Sequence, residues 1–152
     1  MKKIFFTLAL VFVFSLDTMA QIEYKVITSV ESIVPAGMGR SRIISAEEER
    51  DYKDFSSERS DDKKEDKRNK SDRSDIRVKN FEETKLLNFF NLGGIRFQNI
   101  AANDAVITSK INTMINEGWE LAFVTSAVES DSGKDDGQGI YITRYIFKRL
   151  RQ

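Results

Sequence analysis

Apolar residues recur at helical spacing in the segment that follows Asn103. Four of them lie at positions i, i+4, i+7 and i+8 of a single stripe: Ile107, Ile111, Met114 and Ile115. Asn103 can accept hydrogen bonds from the free amides of a first helical turn, and Gly118 suits the left-handed residue that ends a helix. The pattern predicts an amphipathic helix over residues 104–117 with one buried face.

The period of the pattern changes to two after Gly118, which is typical of a β-strand. Trp119, Leu121 and Phe123 alternate with Glu120, Ala122 and Val124 in this stretch. We predict a strand over residues 119–128, with the helical stripe folded back onto its Trp119 side. Three side chains should therefore join the helix in the core: Trp119, Leu121 and Phe123.

Two further stretches alternate with the same period. Residues 22–34 begin with Ile22, Tyr24 and Val26 separated by polar residues, and residues 139–149 close the chain. A polar, glycine-rich connection separates the last two predicted strands, which favours an antiparallel hairpin. The fold class predicted from these elements is α+β: two layers, with an antiparallel sheet of about three to four strands in a β-α-β-β core and one main helix on one face.

The last predicted strand is apolar on both faces. Ile140, Ile142 and Ile146 alternate with a second set that contains Tyr141, Tyr145 and Phe147. One helix cannot cover both faces, so either residues 81–97 pack on the second face or that face meets another molecule. We favour intramolecular cover, because monomers seldom expose large apolar patches. Under the other alternative, the interaction face is the aromatic set: Tyr141, Tyr145 and Phe147.

Residues 76–100 give a mixed signal. Asn80 and Glu83 have the spacing of a capping box, and Leu86, Phe89 and Phe90 suit a helical face, so a helix ended by two glycines is favoured over a strand. Short strands are also expected around residues 40–44, 76–78 and 95–97.

Residues 47–75 mix acidic and basic side chains densely and contain few apolar ones. Such a segment cannot bury enough apolar area to offset the entropy cost of ordering, which is roughly 1–2 kcal/mol per residue. We predict a disordered, solvated insertion within a single domain over residues 21–152. A charged arm that recruits a partner is the functional alternative.

The N-terminus has the pattern of a secretory signal peptide over residues 1–20. Two lysines precede an apolar block at residues 4–14, and Thr18 and Ala20 provide the small residues before a cleavage site. The block is too short to be a typical membrane span, which needs about 20 residues. We expect an exported protein, periplasmic or extracellular, with no membrane insertion after cleavage.

The chain contains no histidine and no cysteine. This excludes Ser-His-Asp and Cys-His nucleophile systems and removes the usual ligands of zinc, haem and iron–sulfur clusters, so no cofactor is expected. The 24 basic and 24 acidic residues cancel, and no overall positive field attracts nucleic acid. Carboxylates, lysine and tyrosine are the catalytic groups that remain.

Two loops carry candidate chemistry. Asp131, Asp135 and Asp136 lie in the connection before the last strand and could hold calcium or serve a carboxylate-dependent hydrolase, although their spacing does not match a calcium loop. Arg40 and Arg42 follow two glycines and could bind an anion, although the P-loop lysine is missing. An ordinary hairpin tip and an ordinary exit loop are the alternatives.

The box Glu117-Gly-Trp-Glu-Leu121, a first strand with Tyr24-Lys-Val26 and a last strand closing on Phe147-Lys-Arg149 resemble a small bacterial domain family of unknown function. The resemblance covers about residues 22–34 and 104–149. It implies a β-α-β-β layer, and it implies no activity.

These patterns together predict a small, exported, non-catalytic binding or interaction module, whose partner is an unknown protein or a second copy of the chain. The alternative is a small carboxylate-dependent hydrolase or a calcium-binding protein of the cell envelope.

Overall fold

The computed structural model of the protein describes residues 21–32, 41–61, 66–129 and 139–151. The predicted signal peptide, residues 1–20, lies outside the described residues. In chain order the elements are β1 (Ile22–Ser32), β2 (Arg42–Ala46), a 3₁₀ turn (Tyr52–Phe55), α1 (Arg73–Ile76), β3 (Phe81–Lys85), β4 (Phe90–Asn91), β5 (Gly94–Ile95), α2 (Phe97–Asn116), β6 (Glu120–Glu129) and β7 (Ile140–Leu150).

Among the described residues, the main sheet has five strands in the order β3-β2-β1-β7-β6, and every neighbouring pair is antiparallel. β1 is the central strand, and it pairs with β7 along its whole length. β6 and β7 form the predicted hairpin. The α+β class with an antiparallel sheet and one main helix is confirmed, and the main sheet contains more strands than the three to four predicted.

α2 packs on one face of this sheet and forms the core with it. The buried apolar side chains are Ile27, Ile43, Leu86, Met114, Trp119 and Phe147, with Ile107, Ile111, Leu121 and Tyr145 packed against them. The helical stripe therefore meets the Trp119 side of the following strand, as predicted. Gly118 has a φ of 84°, which confirms the left-handed stop after the helix.

The predicted start of this helix is wrong. α2 begins at Phe97, and Asn103 lies inside the helix, where it is 2% exposed. Its position falls on the same stripe as Ile107, Ile111 and Met114, because steps of four, four and three residues return to one helical face. From this face Asn103 makes hydrogen bonds to Leu87 and Glu31, which are distant in sequence. The residue predicted to cap the helix is therefore part of its buried face.

Two predicted core residues are exposed. Ile115 lies at the border of the stripe and is half exposed. Phe123 is 61% exposed, because the β6–β7 register shifts between Leu121 and Phe123. The extra residue at Ala122 turns Phe123 to the face opposite Leu121. Strict alternation from Trp119 to Phe123 does not hold across this irregularity.

The favoured helix over residues 80–92 is also wrong. Phe81–Lys85 is strand β3, paired with β2, and Leu92 and Gly93 form the turn of the small β4–β5 hairpin. Gly94 begins β5 directly after this turn with a positive φ of 97°, which glycine adopts readily. Ile76, predicted in a short strand, ends the one-turn helix α1. The expected short strand near residues 40–44 is present as β2.

The connection after β3 covers the same side of the sheet as α2. Leu86 is buried in the core, and the ring of Phe89 lies 5.9 Å from that of Tyr141, measured between centroids. Asn103 donates to the backbone oxygen of Leu87 at 2.7 Å and accepts from its amide at 2.8 Å, which fixes this segment to α2. Intramolecular cover of the second face by residues 81–97, the favoured alternative, is therefore wrong.

The charged segment, residues 47–80, leaves the sheet at the end of β2 and rejoins it at the adjacent start of β3. Ala46 pairs with Phe81, and the Glu47 amide donates to the Asn80 oxygen at 3.1 Å. Between them the described residues form a 3₁₀ turn, an isolated bridge between Glu58 and Lys67, and α1. Neither short helix contains a buried residue. This part of the chain contributes no side chain to the core described above.

Candidate functional site

The face of the main sheet that points away from α2 is called here the open face. Directly opposed residues of antiparallel strands point to the same side of a sheet, so the strand register identifies its members. Val26 is opposite Ile146, Phe123 is opposite Ile146, and Ala46 is opposite Phe81. Ala46 also follows Ser45, the partner of Ile27, and so lies beside Val26.

These pairs form an apolar row that crosses all five strands at right angles to the chain direction. Its members, in order from β3 to β6, are Phe81, Ala46, Val26, Ile146 and Phe123. Phe81 and Val26 are each 45% exposed, and Phe123 is 61% exposed. Strands lie about 4.8 Å apart, so the row is roughly 19 Å long.

Exposed apolar side chains continue beyond the apolar row towards the start of β1. Ile22, Tyr24 and Leu150 are all more than half exposed on the open face. Single exposed apolar residues are ordinary, whereas a contiguous apolar patch on a small protein marks an interaction surface. The apolar members of the open face are contiguous, because each one is a register partner of the next or lies two residues from it on β1.

Most charged groups on the open face are already paired. Arg42 contacts Glu83 at 2.8 Å, and Lys148 contacts Glu120 at 3.2 Å. Arg144 lies next to the apolar row, opposite Thr28 and Thr125, and is exposed. Arg144 and Glu83 belong to the row of residues beside the apolar row. Arg144 lies on β7, and Glu83 lies on β3.

The predicted aromatic interaction face lies on the other side of the sheet. Tyr141, Tyr145 and Phe147 pair with Glu31, Ile27 and Lys25, on the side that α2 covers. Phe147 is 0% exposed, and Tyr145 packs against the core. The set is therefore not an exposed interaction face: Phe147 and Tyr145 belong to the core, and Tyr141, which is 42% exposed, packs beside Phe89 on the same side. The isoleucines of the same strand, Ile140, Ile142 and Ile146, face the open side.

A second surface feature is a cleft of about 570 Å³ where β2 leaves the sheet and β1 continues. The Arg149 guanidinium lies 4.1 Å from the centre of the Trp119 ring and donates to the carboxylate of Glu23. This cation–π contact and ion pair close the floor of the cleft over the core.

The acidic rim of the cleft includes Glu48, whose pKa is lowered from its ordinary value. The main cause is a hydrogen bond from Arg50, with backbone hydrogen bonds and the charge of Arg50 adding to it and desolvation opposing it. Arg50 Nη2 lies 2.5 Å from Glu48 Oε2. A general acid needs a raised pKa, so Glu48 lacks the property that a carboxylate-dependent hydrolase requires of its acid.

The other predicted site residues are not brought together. Arg42 is paired with Glu83, and Arg40 lies outside the described residues, so anion binding stays a prediction. Asp131, Asp135 and Asp136 also lie outside the described residues. In the part of the chain that the structure describes, no group of three or more acidic side chains is arranged to hold a metal ion.

The described residues include no helix that is long and apolar enough to cross a bilayer. No protein-family model, no curated protein and no solved structure matches this chain. The resemblance to a bacterial family of unknown function therefore stays an expectation. The open face was missed by the sequence reasoning, although the apolar alternation at Ile22, Tyr24 and Val26 is the signal that could have found it.

Proposed function

We propose that this protein is an exported, non-catalytic protein-interaction module, and that the open face is its binding surface. The observation that carries the proposal is the apolar row, which crosses five strands on the side of the sheet that α2 leaves uncovered. A flat surface of this kind fits another protein surface better than a small molecule, because small molecules bind in concave pockets.

Export is the second element of the proposal, and it rests on the N-terminal pattern of residues 1–20. In an exporting host, we expect the envelope or medium fraction to contain a chain that begins at Gln21. Intact-mass measurement of the purified protein gives the N-terminus directly. A chain that retains residues 1–20, or that stays in the cytoplasm, would contradict the export element alone.

Interaction through the open face predicts that its side chains are shielded in the cells that make the protein. Hydroxyl-radical footprinting can compare intact cells with the purified protein at high dilution. We expect Tyr24, Phe81 and Phe123 to react less in cells than at high dilution. Tyr52 and Phe97 are aromatic controls, because they are 72% and 76% exposed and lie outside the sheet, in the charged segment and at the start of α2.

The footprinting comparison needs no knowledge of the partner. Equal reactivity of the open-face aromatics in the two samples, with the controls also unchanged, would overturn the proposed function. Protection of Tyr52 and Phe97 together with unchanged Tyr24 and Phe123 would assign the binding surface to the helix side or the charged segment instead.

A further inference from the structure

We infer that the partner of the open face is a second copy of this chain, and that the two sheets pack face to face around a two-fold axis nearly parallel to β1. This inference rests on the proposed function and names its partner. β1 is the middle strand of the five described, so an axis along β1 places β1 of one copy over β1 of the other and leaves two strands on each side of it.

The apolar row is complementary to itself under this operation. Rotation about β1 exchanges the two edges of the sheet. The β3 strand of one copy therefore faces β6 of the other copy, and β2 faces β7. Phe81 of one copy then lies over Phe123 of the other, Ala46 lies over Ile146, and Val26 lies over Val26. Both ends of the interface therefore close on a pair of phenylalanines, and each small Ala46 meets a larger isoleucine.

The same rotation places Arg144 near an acidic residue of the other copy. Because β7 faces β2, Arg144 lies over Ile44 of the other copy, and Glu83 stands on the neighbouring strand at about 4.8 Å, where it also pairs with Arg42. Two copies related by an axis along the apolar row would instead bring Arg144 towards Lys148, which repels. Charge therefore favours the axis along β1 over the perpendicular one.

The overlapping area is close to the minimum for a specific dimer. β2 and β3 are each five residues long and face β7 and β6, so the overlapping parts of the two sheets cover roughly 500 Å² per copy at a strand spacing of about 4.8 Å and a rise of about 3.3 Å per residue. Two copies then bury on the order of 1,000 Å², which is about the lower limit for a specific interface. Sheets packed this way lie about 10 Å apart with strands crossing at about 30°, as in a β-sandwich.

The first test compares two valines of nearly equal exposure on opposite sides of the sheet. Val26 is 45% exposed on the open face, and Val124 is 44% exposed on the α2 side of β6. The 152-residue chain is expressed in an exporting host, and the processed protein is weighed by multi-angle light scattering at about 50 µM. We expect a dimer for wild type and Val124→Lys, and a monomer for Val26→Lys.

A circular dichroism melt of each variant shows whether it is folded. If Val26→Lys fails to fold, Phe123→Ser replaces it, because Phe123 is exposed at the outer strand and its loss leaves the core intact. A monomeric wild type overturns the inference, and so does a dimer that Val124→Lys dissociates while Val26→Lys does not, because the interface then involves the α2 side or the free edge of β6.

The second test uses the absence of cysteine from the sequence. Thr28→Cys places a single thiol on the open face of β1, close to the inferred axis, and Asn112→Cys places one on the exposed side of α2. Facing sheets about 10 Å apart suit a bifunctional thiol reagent of about 8–10 Å. We expect a covalent dimer from Thr28→Cys only.

Equal cross-linking of the two variants would overturn the inferred arrangement. The outcomes also separate this inference from the proposed function. Footprint protection of Tyr24 and Phe123 in cells combined with a monomer in solution means that the open face binds another protein, and the inference of a second copy is then wrong. A monomer whose open face is also unprotected in cells contradicts both.

Discussion

Asn103 illustrates how a single polar residue can be given the wrong role by local pattern. Next to an apolar stripe it has the appearance of a helix cap, because a cap is recognised from its neighbours in sequence. Its actual partners are 16 and 72 residues away, at Leu87 and Glu31. No periodicity contains that information, so the buried amide is found only when the segments are placed in space.

We expect Asn103→Ala to destabilise the protein by about 1–3 kcal/mol, because it leaves the backbone amide and oxygen of Leu87 without their partner inside the fold. Asn112→Ala is the matched control: the same change at an exposed position of the same helix, where alanine is a better helix former. Urea unfolding measures both. Equal free energies of unfolding for the two variants would show that the Asn103 hydrogen bonds contribute nothing net.

Glu48 gives a prediction for the dependence of stability on pH. Its pKa is lowered in the folded state by the Arg50 hydrogen bond, so folding favours the ionised carboxylate. The stabilisation is present above the unfolded pKa, about 4.3, and is lost as the pH falls through the lower folded value. We expect Glu48→Gln to be less stable than wild type at pH 7, with the difference shrinking below about pH 4.

Arg50→Met removes the donor and should abolish the same pH-dependent difference, which separates the ion pair from other effects of changing Glu48. Unfolding free energies measured in urea from pH 3 to pH 7 give the curves. Parallel curves for wild type and Glu48→Gln across this range would contradict the role of the Arg50 hydrogen bond.

At the scale of elements, periodicity identified the helix and the long strands but not which side of each strand is buried. β7 carries apolar residues on both sides, so its pattern is the same whichever side α2 covers, and β1 turns its more apolar side, with Ile22, Tyr24 and Val26, away from α2. The aromatic side of β7, which is the interaction face under one of the two alternatives, is the side that α2 covers. The extra residue at the β6 irregularity also turns the Phe123 side chain to the open face. Which side of a strand faces the core is a property of the assembled sheet, and local alternation alone does not determine it.

The charged segment can be tested as an element. Glu47 and Asn80 are joined by a hydrogen bond next to the Ala46–Phe81 pair, so their chain ends already have the separation of a tight hairpin. We expect replacement of residues 48–79 by Asn-Gly to give a folded protein at least as stable as wild type. Closing a two-residue loop instead of a long one recovers on the order of 2 kcal/mol of entropy, against the loss of the Glu48–Arg50 contact.

Thermal unfolding of the shortened protein checks this expectation, and a Gly/Ser segment of the original length is the control for loop length. Loss of cooperative unfolding in both variants would mean that residues 48–79 belong to the folded core. Loss in the shortened protein alone would mean that β2 and β3 cannot be joined by a tight turn.

At the scale of the whole molecule, association should appear in the thermal stability itself. A dimer that unfolds to two separate chains gains stability with concentration, because mass action opposes dissociation. A 100-fold increase in concentration corresponds to about 2.7 kcal/mol per dimer, or a rise of a few degrees in the melting temperature. We expect this rise for wild type and for Val124→Lys. We expect no rise for Phe123→Ser, because this change removes the phenylalanine that faces Phe81 of the other copy. A melting temperature that is independent of concentration in all three proteins would show that folding and association are uncoupled.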